Sequence, residues 1–277
     1  MRSRRRKPSV TEPVPLRIVR TPRRSVRWSL ELLWTLAVHR INIRYKETLF
    51  GFGWIFLQPV ALTIIFNYIH RVARIPTGEI PYPLFAAVGL VVWSITALVL
   101  SQSTICLTSQ APLLKRIALP RIFLPLSVLF SSIADLCVMG LLLVGLFLYY
   151  QRPPGMAWAW IPILLLLHFS LLMGLSCLVS LANVFLKDIG HALPFLLQIW
   201  FFASPVFYPY SMVPREFRML ARWNPLTGII EGYRAALLSG QPPPLELLGP
   251  TFLATILISA VGILLFKKIE GTITDML

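Results

Sequence analysis

The stretch Arg44-Tyr45-Lys46-Glu47-Thr48-Leu49-Phe50-Gly51-Phe52-Gly53-Trp54 decides the class of this protein, because a basic, amphipathic segment turns there into an apolar one of bilayer length. From Thr48 to His70 the chain carries no formal charge over 23 residues, and a spanning helix needs roughly 20. Gln58-Pro59 lies inside that run; a membrane helix carries such a kink when its neighbours satisfy the freed backbone groups.

Outward from this stretch the composition points the same way. Of 277 residues, 56% are hydrophobic and only 13% charged, about half the charge of a soluble domain. The apolar residues stand in long uncharged runs, which is the signature of a polytopic membrane protein. The formal charge of +15 does not argue for nucleic acid. Of 26 Lys and Arg, 13 precede Gly53, and a basic flank beside an apolar span marks a cytoplasmic segment near anionic lipid. Cys106, Cys137 and Cys177 all sit within apolar runs without CxxC or Cys/His neighbours, so they read as small buried hydrophobes rather than a disulfide or metal framework. The Arg-rich start is followed by Pro-rich polar sequence, not by the short apolar core of a signal peptide.

Residues 1–25, with Pro8, Pro13, Pro15 and Pro22 among arginines, are expected to be a disordered cytoplasmic tail. Residues 26–277 are expected to form one membrane domain. Within 26–46, Leu30, Leu33, Trp34, Ala37, Val38, Ile41 and Tyr45 repeat at helical spacing, opposite Arg27, Glu31, Thr35, His39, Asn42 and Lys46. This pattern predicts an amphipathic helix lying in the membrane interface; a helix of a soluble subdomain is the alternative. Six spans follow from the uncharged runs, at about 52–70, 84–107, 122–150, 159–184, 192–208 and 249–266. With both termini cytoplasmic, the inner segments hold 19 Lys and Arg and the outer ones 7, as the positive-inside rule requires. The fold class is thus all-α and polytopic.

Between spans five and six, Asn224-Pro225 predicts an N-cap with proline at the first helical position, and Gly240 a terminator. A helix of that length is too short to cross, so it is expected to be a re-entrant or surface-lying half-helix on the outer face, the alternative being an ordinary loop.

No phosphate-cradling G-x-x-x-x-G-K-[ST], H-E-x-x-H or G-x-S-x-G occurs, and His39, His70, His168 and His191 lack ligand spacing. An enzyme is not expected, nor a metal. Asp135 is the acid placed well inside a span; a structural hydrogen bond, with His168 or with serine and threonine neighbours, competes there with a transport role. The segment 109–121, framed by Pro112 and Pro120 around Lys115, Arg116 and Arg121, suits a short helix that docks on a partner, and Lys187-Asp188 marks a second brief polar loop. The alternative is that both merely turn the chain at a charged surface. Phe195, Trp200, Phe201, Phe207 and Tyr208 crowd span five and its outer end. They fit either an interfacial aromatic belt or a surface on which sugars stack.

Taken in order, R-Y-K-x-T-x-x-G-x-x-W with Gln58-Pro59, Lys115-Arg116-x-x-x-Pro120, Lys187-Asp188-Ile189, Ser204-Pro205-Val206-x-Tyr208, and Asn224-Pro225 followed by Glu231-x-Tyr233-Arg234 cover nearly the whole chain after residue 28. This set resembles the permease subunits of polysaccharide and polyol-phosphate exporters in the type-2 ABC class. The resemblance implies a homodimer of six-span subunits in a bacterial inner membrane, with two copies of a separate ATP-binding subunit that carry the ATP and magnesium, this chain needing no cofactor. It further implies export of a lipid-linked glycan from the cytoplasmic side. Arg40, Arg44, Tyr45, Lys46 and Trp54 would then receive the substrate pyrophosphate. Phe195, Trp200, Phe201, Phe207 and Tyr208 would line the channel, and Pro112, Lys115, Arg116, Pro120, Arg121, Lys187 and Asp188 would couple to the ATPase. Rival readings are an exporter for a drug or small lipid, and a membrane-embedded glycosyl- or acyltransferase.

Overall fold

A computed structural model describes residues 26–45, 53–73, 75, 77–111, 114 and 119–272. The expected tail 1–25 lies outside them. Among the described residues the chain is helical throughout, with no strand. Helix α1 is Val26–Tyr45, α2 Gly53–Ala73, α3 Tyr82–Ile105 and α4 Phe123–Tyr149. A 3-10 turn at Met156–Trp160 leads into α5, Ile161–Phe185, and α6 is Ile189–Ala203. Short 3-10 turns and α7, Arg218–Trp223, precede α8, Pro225–Arg234. The chain then passes through a π-helical turn, Ala235–Ser239, to α9, Leu245–Ile269.

Four of these, α3, α4, α9 and α5 with its leading turn, are long and apolar enough to cross a membrane. Helix α6 is the main departure from the expected spans. It starts at Ile189 and stops at Ala203, not near 208, because Pro205 and Pro209 leave the apolar continuation Val206–Tyr208 no helical path. Its 15 residues give about 22 Å, short of a roughly 30 Å hydrocarbon core.

Helix α3 is the axis of the molecule: Leu84, Leu90, Ile95 and Val99 are at most 1% exposed, and α2, α4, α5, α6 and α8 all pack on it. The tightest helix pair is α5 with α9. A Cβ on Gly174 would lie 2.5 Å from the Ser259 Cα, so only hydrogen permits this approach. Ser259 Oγ seals it by donating to the Ser170 carbonyl at 2.8 Å. Small residues at a crossing, with serine as glue, are how helices associate where water gives no hydrophobic drive. Helix α8 follows the predicted signals. The Asn224 side chain accepts from the Leu226 N–H at 3.1 Å, Pro225 is the first helical residue, and Gly240 closes the π turn at φ +64°, a conformation that favours glycine. This segment is not a surface loop: Leu226, Ile229 and Ile230 are fully buried.

Helix α1 forms where periodicity places it but turns a different side to the protein. Leu33 and Ala37 are buried, with Arg40 and Arg44 one and two turns further along the same face, while Leu30 and Trp34 of the apolar stripe are 56% and 70% exposed. The reason is on α4, which offers Ser127 and Asp135 as polar partners, so the arginines take the protein side. Contacts advance together along both helices, Trp28 against Phe123, Arg40 against Ser127 and Arg44 against Asp135. Helix α1 therefore runs beside α4 rather than crossing it at one point.

Candidate functional site: a cationic pocket and an aromatic cleft at opposite ends of α3

At the Ile105 end of α3, a pocket of about 340 Å³ opens between α1 and the turn after α3. His39, Arg40 and Arg44 line it from α1, with Gln102, Ser109 and Gln110 facing them. Arg40 Nε donates to Ser127 Oγ at 3.0 Å, and Ser127 donates onward to the Leu124 carbonyl. The Arg40 Nη2 group is buried with no hydrogen-bond partner. Burial lowers the Arg40 pKa from its ordinary value, with the neighbouring Arg44 acting in the same direction and Cys106 opposing. Arg44 Nη1 lies 2.7 Å from Asp135 Oδ2 in an ion pair, the carboxylate side chain 1% exposed and the guanidinium 17%. The expected partner of Asp135 is thus corrected: it pairs with Arg44, not His168. The His168 ring lies 2.9 Å from Thr96 Oγ1. That hydroxyl already donates to the Val92 carbonyl, so Nε2 of His168 is the donor. The pocket is lined by two arginines, a histidine, two glutamines and a serine beside Ile43 and Ile105, a set whose polar members have the chemistry to receive an anion.

At the Tyr82 end, a cleft of about 770 Å³ lies between α2, α6 and α7. Trp200, Phe202, Phe207, Tyr208, Phe217 and Trp223 form its aromatic walls. Of the sequence candidates, Trp200, Phe207 and Tyr208 therefore meet in one place. Phe201 does not. It is 8% exposed and packs into the core against Phe66, Trp93 and Phe207. Phe195, eight residues and about two turns before the end of α6, is 66% exposed and outside the cleft.

Two polar nodes, Asn224 read from the sequence as a helix cap and Arg234 as part of a family fragment, hold the cleft in shape. Asn224 Oδ1 accepts from both the Leu226 N–H and Trp200 Nε1 at 3.1 Å, and its amide donates to Ser204 Oγ at 2.9 Å. Arg234, 3% exposed, donates from Nη1 to the carbonyls of Pro205 at 2.7 Å and Tyr208 at 3.2 Å, and to Glu231 at 2.8 Å. Its Nη2 donates to the Val206 carbonyl at 2.5 Å, and its guanidinium carbon stands 3.6 Å over the Phe85 ring. Burial lowers its pKa while Glu231 opposes that shift. Gly89 on α3 makes room, since a Cβ there would collide with the Val206 carbonyl. The Ser204-to-Tyr208 and Glu231-to-Arg234 fragments, 20 and more residues apart, are thus the two halves of one clamp. The only earlier signal was that both stand out as polar or proline-marked pieces in apolar surroundings.

The expected coupling residues are only partly described. Pro112, Lys115, Arg116 and Lys46 lie outside the described residues, as do the side chains of Tyr45 and Trp54. Pro120 is half-buried ahead of Arg121. The Arg121 N–H donates to Glu270 Oε1 at 2.6 Å, and its guanidinium bonds the Glu270 carbonyl. This ties the start of α4 to the end of α9, a link the sequence did not signal. Lys187 and Asp188 are exposed between α5 and α6.

A family model described as ABC-2 type transporter matches residues 31–238. The chain belongs to that family. It is 27% identical over 251 residues to the O-antigen export system permease protein RfbA of Klebsiella pneumoniae, covering 89% of this chain and 95% of the relative. It is 26% identical over 218 residues to the RfbA of Myxococcus xanthus, 78% and 83% being covered. With the polysialic acid transport protein KpsM of Escherichia coli it shares 25% identity over 248 residues, covering 85% and 92%. These relatives are type-2 ABC exporter permeases, and this ABC-2 chain is, like them, a membrane-embedded transport subunit.

Proposed function

We propose that this chain is the permease of an ATP-driven exporter that moves a lipid-linked polysaccharide, of the O-antigen kind, from the cytoplasmic side of a bacterial inner membrane. The observation that carries this reading is the pairing of opposite chemistries along α3: an anion pocket at one end and an aromatic cleft at the other. A glycan carried on a lipid pyrophosphate has both a doubly charged group and stackable sugar faces. A drug or small lipid would use an aromatic cleft equally well, so it is the pocket at the far end of α3 that favours a charged carrier.

In this reading Arg40, Arg44, Tyr45, Lys46 and Trp54 receive the pyrophosphate at the inner face. Trp200, Phe207 and Tyr208 guide the emerging sugars at the outer one. Helices α2 and α6 complete six crossings, with both termini cytoplasmic. The apolar residues that α1 turns outward, Leu30 and Trp34, lie in the bilayer interface. Permeases of this family pair with an ATP-binding subunit. Two copies of it would hold ATP and magnesium beneath a homodimer of this chain, and segment 109–121 with Lys187 and Asp188 would meet them.

Arg40→Gln and Arg44→Gln test the reading in cells that depend on this chain for surface glycan. The expected outcome is a more than tenfold loss of surface polymer, accumulation of lipid-linked polymer on the cytoplasmic side, and unchanged membrane levels of the protein. Full surface polymer with either variant overturns the assignment of the pocket.

A further inference from the structure

One of the arginines that line the pocket is paired with a buried carboxylate. Asp135 lies 12 residues into α4, about 18 Å along the helix from Phe123, and its carboxylate is almost wholly buried where it meets Arg44. Arg44 also lines the pocket, next to Arg40 with its unmatched Nη2. One guanidinium therefore serves the pocket and the carboxylate together. Whether an arriving phosphate shares Arg44 or draws it away, the Asp135 charge paired with that guanidinium offsets part of its pull on the phosphate.

We propose that Asp135 is a positioning residue that deliberately weakens the anion pocket, so that single phosphates do not occupy it and a pyrophosphate, once bound, is released. The proposal rests on the pyrophosphate reading of Arg40 and Arg44. Its logic is electrostatic. A pocket facing a leaflet rich in singly charged phospholipid headgroups would stay filled by them if both arginines acted at full strength. With the field attenuated, a single phosphate that meets one arginine gains little over its desolvation cost, while two linked phosphates engage Arg40 and Arg44 at once. The shared chemistry is phosphate, and the membrane offers it in two forms, headgroup and pyrophosphate.

The test is binding of inorganic pyrophosphate to the full chain in nanodiscs of zwitterionic phosphatidylcholine, with a parallel set containing anionic phosphatidylglycerol. Asp135→Asn keeps an acceptor for Arg44 and removes the charge. It is expected to bind pyrophosphate at least fivefold tighter than wild type in the zwitterionic discs and to lose more of that binding than wild type in the anionic ones. In cells it is expected to export more slowly despite binding better, a combination that a merely structural role does not produce. Should Asp135→Asn fail to fold, the double variant Arg44→Gln with Asp135→Asn keeps the net charge and a hydrogen-bonding pair. It is expected to bind pyrophosphate at least fivefold tighter than Arg44→Gln alone, and binding no tighter than Arg44→Gln overturns the proposal. Loss of binding in Arg40→Gln with unchanged or weaker binding in Asp135→Asn sinks the role of Asp135 and leaves the pocket standing. Unchanged binding in both Arg40→Gln and Arg44→Gln removes the pocket reading itself.

Discussion

Arg234 shows how much one side chain organises at the outer end of the molecule. Its guanidinium satisfies three consecutive-turn carbonyls, those of Pro205, Val206 and Tyr208, and pairs with Glu231. A buried cation is tolerable only when most of its donors are matched, and here Nη1 and Nη2 are matched while Nε is not. Removing it leaves the carbonyls without a donor and Glu231 with only the Tyr210 N–H, and breaking a buried pair costs about 3–5 kcal/mol. Arg234→Ala is therefore expected to unfold the cleft region and lower the thermal midpoint of the purified protein by several degrees. Arg234→Lys is expected to fall between, because an ammonium has three donors on one point and not the planar fork that spans the turn. A lysine variant as stable as wild type would show that charge alone suffices. In the sequence Arg234 reads as one of seven outward charges and as the end of a family fragment, its burial unseen, since composition reports charge but not burial. Asp135 shows the same limit from the other side: its depth in a span is legible, its partner on a helix 91 residues earlier is not.

Helix positions were far more legible than helix faces. Caps and breakers act locally, so Asn224-Pro225 and Gly240 bound the α8 segment as expected, and the crossings through α3, α4, α5 and α9 fall close to their uncharged runs. The miss at the end of α6 is also local, two prolines outweighing an apolar run. The face of α1 is different. Periodicity says which residues share a side, yet which side meets the protein depends on Ser127 and Asp135 of another helix. Close helix approach is likewise invisible until the partner is placed, and it gives a paired prediction. Gly174→Ala puts a methyl 2.5 Å from the Ser259 Cα, so α5 and α9 must separate, at about 1–3 kcal/mol for overpacking. The same change at Gly145 in α4 meets nothing within 4 Å and is expected to be neutral or stabilising by about 0.5–1 kcal/mol, from helix propensity alone. Thermal denaturation of the two variants in one detergent checks this. Equal effects would mean that the α5–α9 contact does not limit stability.

At the scale of the whole molecule, everything hangs on α3. It carries the pocket at one end and the cleft at the other, and every path between them follows its length of 24 residues, about 36 Å. That length spans a bilayer, so pocket and cleft belong to opposite membrane faces if the shorter helices also cross. Helix α6 is the critical one. Its 15 residues alone fall short of the hydrocarbon thickness, and Ser204–Pro209 after it turns and bends against the end of the helix as buried or half-buried chain, its carbonyls held by Arg234 and Tyr82. Non-helical backbone is tolerable at membrane depth when protein satisfies it in this way. Single cysteines at Lys187 and Arg215, both exposed positions flanking α6, decide the matter once Cys106, Cys137 and Cys177 are replaced by serine or alanine in a variant that still exports. In intact cells a membrane-impermeant maleimide is expected to label Arg215→Cys and to spare Lys187→Cys, which becomes reactive only after permeabilisation. Labelling of both from the same side would mean that α6 enters and leaves by one face, reducing the crossings and separating the aromatic cleft from the exit of the path.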